Sequence, residues 1–240
     1  MKKLKKNLLI FFGELRTFEH VIPHLEGLDS VDIILSTWSE SKRDDGLFLV
    51  DETLIKKLLP NIKQFHIVNH KDIPNIDDKS NSWKLYYHWK NAINNISNVS
   101  DYENVILHRC DLISNWDSIL NLDIEEDMVH LHYKDKPYSE FAKRDEHNNF
   151  IFNPNAFWIN DFYVFGKFDI IKKFVNLFVK DNYSYPHFPI WEVISENNIK
   201  IKNHVLKGFL VRDANIEFVN NLTLQNQKFN LIGLLTGPAY

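Results

Sequence analysis

Apolar positions along this chain fall into two patterns that alternate. Asn7-Leu-Leu-Ile-Phe-Phe-Gly13 and Val31-Asp-Ile-Ile-Leu-Ser-Thr37 are short apolar runs, with the length and continuity of strands buried on both faces. Phe65-His-Ile-Val68 and Val105-Ile-Leu-His108 read as a third and a fourth strand. Between the runs, apolar residues recur at helical spacing. Residues 51–59 place Leu54, Ile55, Leu58 and Leu59 on one face, and Pro60 ends the segment. Ser82 to Ile96 is the strongest helix, with Trp83, Tyr86, Tyr87, Lys90 and Ile93 in three- and four-residue steps. A shorter helix over 17–25 is interrupted by Pro23. Strand and helix signals taking turns over residues 7–120 predict repeated βα units.

The second half is less regular. Asp127 to Tyr133 and Phe157 to Phe165 read as strands. Asp169 to Lys180 reads as a helix presenting Ile170, Ile171, Phe174, Leu177 and Phe178, and helix resumes over 190–197 after a loop bracketed by Pro186 and Pro189. The tail beyond Phe209 lacks a period. Lys134 to Asn149 is dense in charge and suits either an active-site lid or a long surface loop. With no linker or internal repeat, the expected fold is one α/β domain: a Rossmann-like, mostly parallel mixed sheet flanked by helices.

Composition narrows the function classes. A net charge of -4 argues against a general nucleic-acid binder. A lone cysteine, Cys110, excludes an internal disulfide framework and a cysteine-rich zinc knuckle, and it fits a reducing, cytoplasmic setting. The apolar run Leu8 to Phe12 is too short to span a bilayer and has no small-residue cleavage site after it. Lys2, Lys3, Lys5 and Lys6 precede it, either as a solvated lead-in or as a peripheral contact with the inner, anionic face of a membrane.

Candidate chemistry gathers at strand ends. Gly13-Glu-Leu-Arg-Thr17 follows the first strand; glycine permits a tight turn, and the Arg16 fork suits phosphate as well as a salt bridge. The spacing is neither a dinucleotide fingerprint nor a phosphate loop of the Walker kind. His108-Arg-Cys-Asp111 closes the fourth strand at its carboxyl end, where open α/β sheets bind ligands. Asp111 can ligate a divalent cation bridging two phosphates, or cap a following helix over 115–120. Glu192, in His187-Phe-Pro-Ile-Trp-Glu192, can take a proton from a hydroxyl or simply suit a helix start. Asp161 either points into the same cleft or begins a turn. His130 and His132 share one strand face and with His204 and Asp111 could approach a metal, but no H-E-x-x-H spacing supports a zinc hydrolase and no G-x-S-x-G elbow is present. Trp38, Trp83 and Trp158 suit core packing as much as stacking on a sugar or base.

Phe11-Phe-Gly-Glu-Leu-Arg-Thr17, Asp32-Ile-Ile-Leu-Ser-Thr-Trp38 and Val105-Ile-Leu-His-Arg-Cys-Asp111 resemble bacterial and viral polysaccharide glycosyltransferases, most nearly the WavE-like lipopolysaccharide synthesis family. Asp161-Phe-Tyr-Val-Phe-Gly166 and Pro189-Ile-Trp-Glu192 are similar to later segments of that family, so the resemblance spans about residues 7–200. It implies a GT-A-like domain with a nucleotide-binding half over about 7–120, an acceptor-side half over about 121–205 and an irregular tail over 206–240. It further implies transfer of a sugar from a nucleotide sugar to a hydroxyl of a glycan or lipid-linked glycan. In that carry-over Gly13, Arg16 and Thr17 lie by the nucleotide, Glu192 is the acceptor base and Asp161 the second choice. Asp111 stands at the last acid of an Asp-x-Asp motif that would hold Mn2+ or Mg2+. Arg109 replaces the first acid, so it could itself neutralise phosphate. A binding protein without turnover and a nucleotidyltransferase are the other classes that the residues allow.

Overall fold

The computed structural model describes residues 6–25, 28, 31–43, 46–116, 121, 123–137, 143–144, 150–151, 157–180, 187–204, 208–212, 216–217 and 219–220. The elements in chain order begin with β1 (Lys6–Phe12), α1 (Phe18–Val21), β2 (Asp32–Trp38), the hairpin β3 (Glu40–Arg43) and β4 (Gly46–Leu49), and α2 (Glu52–Leu58). They continue with β5 (Gln64–Val68), α3 (Asn81–Asn94), β6 (Tyr102–Arg109), β7 (Leu112–Ser114), β8 (Val129–Pro137), β9 (Lys143–Arg144) and β10 (Phe150–Ile151). Last come β11 (Phe157–Lys167), α4 (Phe168–Asn176), α5 (His187–Glu196), β12 (Ile201–Asn203) and β13 (Gly208–Leu210).

Seven strands form the central sheet in the order β12-β8-β11-β6-β1-β2-β5. All neighbours run parallel except where β11 meets β6 and β8, so one strand opposes six. The α/β, mostly parallel mixed sheet flanked by helices expected from the sequence is therefore the observed one.

Both faces of the sheet are covered, which explains the unbroken apolar strands. Side chains alternate across β1. Leu8, Ile10 and Phe12 join α3, α4 and α5 in one cluster, while Leu9 and Phe11 join α1 and α2 in the other. α2 and α3 begin on side-chain caps that satisfy first-turn N–H groups: Asp51 accepts from Leu54 N–H at 2.8 Å, and Ser80 from Trp83 N–H at 3.2 Å. Pro23 confines α1 to one turn, followed by a 3-10 turn.

The charged segment after Trp38 forms the hairpin β3–β4, and two features depart from the sequence reading. β12 extends the sheet parallel to β8, and β13 pairs with β7, so residues 208–210 of the expected irregular tail are ordered as a strand. Residues 117–120 of the expected helix, 138–142 and 145–149 of the charged loop, and Lys2, Lys3 and Lys5 lie outside the described residues. No helix among the described residues is long and apolar enough to cross a membrane.

Candidate functional site

β1 passes the chain on to β2 on one side, whereas β6 passes it on towards β8 and β11 on the other. The connections leaving the carboxyl ends of these two neighbouring parallel strands therefore diverge, and in open α/β sheets such a switch point is the crevice where ligands usually bind. The ladder fixes both loop entries: Gly13 N–H donates to the Ser36 carbonyl at 3.1 Å and Cys110 N–H to the Phe12 carbonyl at 3.0 Å. Gly13 turns the chain with φ +105°, a conformation that side chains rarely allow.

Two aspartates and three arginines meet in this crevice. Arg109 Nε donates to Asp111 Oδ1 at 2.8 Å and Arg109 Nη2 to Asp111 Oδ2 at 2.8 Å, a two-pronged pair. Its third nitrogen, Nη1, donates to Asp161 Oδ2 at 3.2 Å. Arg212 Nη1 donates to Asp111 Oδ2 at 2.6 Å, and Arg16 Nη2 stands 3.7 Å from the same oxygen. The Phe162 ring covers the Arg109 guanidinium, its centroid 5.5 Å away. Asp111 and Asp161 are buried.

Thr17 works differently from Arg16. Its buried hydroxyl donates to the Val211 carbonyl at 3.1 Å, and Val211 N–H donates to the Asp111 carbonyl at 2.8 Å. These bonds, with the β13–β7 pairing, tie the segment carrying Arg212 to the crevice.

Charge follows from this geometry. Burial would raise the Asp111 carboxyl, but Arg109, Arg212 and Arg16 outweigh it and hold the pKa at about 2. Burial would lower the Arg109 guanidinium, yet Asp111 and Asp161 push it well above its ordinary value. Arg212 is lowered, chiefly by its own burial. Burial pushes the neighbouring Cys110 thiol well up, so it is no nucleophile.

Asp111 is the acid to which the sequence assigns Mn2+ or Mg2+. Both its oxygens accept from guanidinium N–H groups, and one Asp161 oxygen does so too. Such cations want several free oxygen donors, so this arrangement does not fit one without displacement of the arginines. No group of three or more metal-binding side chains occurs among the described residues.

A solved structure shares this fold. A 4-diphosphocytidyl-2C-methyl-D-erythritol synthase from Anaerococcus prevotii matches 92% of this chain and 96% of its own length, with a TM-score of 0.51 and 12% identity. Looser similarity extends to the glycosyltransferase GlyE of Streptococcus pneumoniae, with a TM-score of 0.42, 11% identity and coverage of 83% of this chain and 45% of that one. An active-site mutant of LgtC gives a TM-score of 0.43 at 10% identity, covering 89% and 69%. No family model matches the chain, and no curated protein sequence matches it.

The remaining candidates have partners of their own. Glu192 is on α5, whose Ile190, Val193 and Ile194 pack in the α3–α4 layer. Its carboxylate meets Lys180, which also lines a cavity of about 430 Å³ together with Trp83, Tyr87, Lys90 and Asn91. Trp38 is buried against His88 and belongs to the core. His130 and His204 lie 5.0 Å apart between ring centroids, and the Asp111 carboxylate is held by the arginines.

Arg212 is the site residue that sequence reasoning missed. Its one signal was the short apolar run Gly208-Phe-Leu-Val211 before it, which can pair as a strand but has no period to announce it.

Proposed function

We propose that this chain transfers a sugar from a nucleotide sugar to a hydroxyl of a glycan acceptor, as its resemblance to WavE-like surface-polysaccharide transferases implies. The observation that carries this reading is the convergence of Arg16, Arg109 and Arg212 at the carboxyl ends of β1 and β6. A departing diphosphate needs fixed positive charge in a partly dry crevice, and preoriented donors supply it without reorganisation.

In the proposed reaction the acceptor oxygen bonds to the anomeric carbon as that carbon's bond to the phosphate oxygen breaks. The electron pair leaves on the nucleoside diphosphate, and the acceptor proton passes to a carboxylate. We assign that role first to Glu192, as the resemblance implies; it is 15% exposed and pairs with Lys180. Asp161 is second, because Arg109 holds one of its oxygens.

Nucleotidyl transfer is the second reading, favoured by the overall likeness to a synthase whose name marks a cytidyl product. The two separate by leaving group: nucleoside diphosphate for sugar transfer, pyrophosphate for nucleotidyl transfer. Calorimetry against nucleoside diphosphates, nucleotide sugars and nucleoside triphosphates, with and without manganese, comes first. Micromolar binding of a nucleotide sugar, weakened by Asp111→Ala, with nucleoside diphosphate released on adding acceptor, is the expected outcome. A folded chain that binds none of them refutes both transferase readings and leaves a glycan-binding protein.

A further inference from the structure

We infer that Arg16 and Arg212 form a clamp for the donor diphosphate, with the Asp111 carboxylate holding their places until it arrives, so that guanidiniums rather than a divalent cation neutralise the leaving group. This rests on the nucleotide-sugar reading above and adds to it the group that meets the phosphates and the irrelevance of metal.

The three arginines are not equivalent. Arg109 is the inner one, 18% exposed, with all three of its nitrogens engaged by Asp111 and Asp161. Arg16 and Arg212 are the outer pair, 35% and 38% exposed, and both face the same carboxylate oxygen. Arg109 can therefore stay on the two aspartates while the outer pair turns to an incoming anion.

Arg16 is under-used as it stands. Its Nε is buried without a hydrogen-bond partner, and its Nη2 is 3.7 Å from Asp111, beyond hydrogen-bond length. A buried donor without an acceptor is costly, and the fork of a guanidinium matches two phosphate oxygens. A diphosphate reaching the crevice supplies that acceptor.

Arg212 is placed independently of its ion pair. Val211 N–H bonds the Asp111 carbonyl, the Val211 carbonyl accepts from Thr17, and β13 pairs with β7 immediately before it. Exchanging Asp111 for a phosphate oxygen thus leaves the backbone of Arg212 where it is. A divalent cation has the opposite fit: it would enter among three guanidiniums and compete for carboxylate oxygens that already accept their N–H groups.

The test uses inorganic pyrophosphate as a probe that is blind to base and sugar. Its binding to the full chain is followed by calorimetry in EDTA and again in manganese. Pyrophosphate is expected to bind in EDTA at least tenfold more tightly than orthophosphate, with manganese changing its affinity less than threefold. Arg212→Gln and Arg16→Gln are each expected to weaken it tenfold or more. Arg212→Lys, which keeps the charge and the strand, should recover part of that loss and guards against an unfolded glutamine variant. Binding that requires manganese, or that is the same in wild type and both glutamine variants, overturns the inference. If nucleotide sugars bind but neither glutamine variant affects them, the clamp fails while the transferase reading stands. If neither pyrophosphate nor any nucleotide binds the folded chain, both fall together.

Discussion

Arg109 lies against Asp111 with Nε and Nη2 each 2.8 Å from a different carboxylate oxygen, although only one residue separates them in the chain. The pairing turns the end of β6 into a rigid charged corner. Breaking a buried ion pair from one side leaves the other charge stranded.

Asp111→Ala should therefore destabilise the fold by about 3–5 kcal/mol. Arg109→Lys, which keeps the charge but loses the two-pronged geometry, should cost less than Asp111→Ala. Urea unfolding followed by tryptophan fluorescence measures both. A loss below about 1 kcal/mol for Asp111→Ala would show that the corner is already solvated and contributes little.

The expected consequence of acid follows from two buried imidazoles. Burial lowers His88 and His108 from 6.5 to about 3, so the folded chain keeps both neutral while the unfolded chain protonates them first. Stability should thus be full above about pH 6.5 and fall as the pH drops towards about 3, by roughly 1.4 kcal/mol per pH unit for each histidine. Asp111 adds a loss in the same direction only between 3.8 and about 2. Denaturation midpoints between pH 7 and pH 4 test this. His88→Gln should remove about half of the slope from the pair, and an unchanged slope would mean that other groups set it.

The strands that build the crevice were legible because burial on both faces leaves an unbroken apolar run, as in Leu8 to Phe12. Arg16, Arg109 and Asp111 were legible because they flank such runs. The pairing between Arg109 and Asp111 was not, since a sequence lists both as ligands for phosphate or metal and only the fold shows that they serve each other. β13 and Arg212 escaped for another reason. Three residues are too few for a period, and their partner β7 lies almost a hundred positions upstream.

Gly166 closes the Asp161-Phe-Tyr-Val-Phe-Gly166 segment for a steric reason. A Cβ there would stand 3.0 Å from the Met128 carbonyl oxygen and 3.1 Å from Ile171 Cδ1. The backbone oxygen cannot swing aside without shifting β11 from β8, which pair through Gly166 and Val129. Gly166→Ala should cost about 1–3 kcal/mol, and a thermal melt will read it. A neutral result would mean that Ile171 and the strand yield together.

Glu192 and Asp161 compete for the role of acceptor base, and their surroundings make the contest decidable. The Lys180–Glu192 pair is partly open to water, with 45% of the lysine exposed, so Glu192→Gln should change stability by no more than about 1 kcal/mol. Asp161→Asn removes a charge from buried Arg109 and should be the more destabilising of the two. If Glu192 takes the proton, Glu192→Gln should lower kcat about 10²- to 10⁴-fold with KM for the donor little changed. The acidic limb of the kcat–pH profile should vanish with it, a change that a merely structural ion pair would not produce. Retained kcat in Glu192→Gln, with the limb lost in Asp161→Asn instead, would move the base to Asp161.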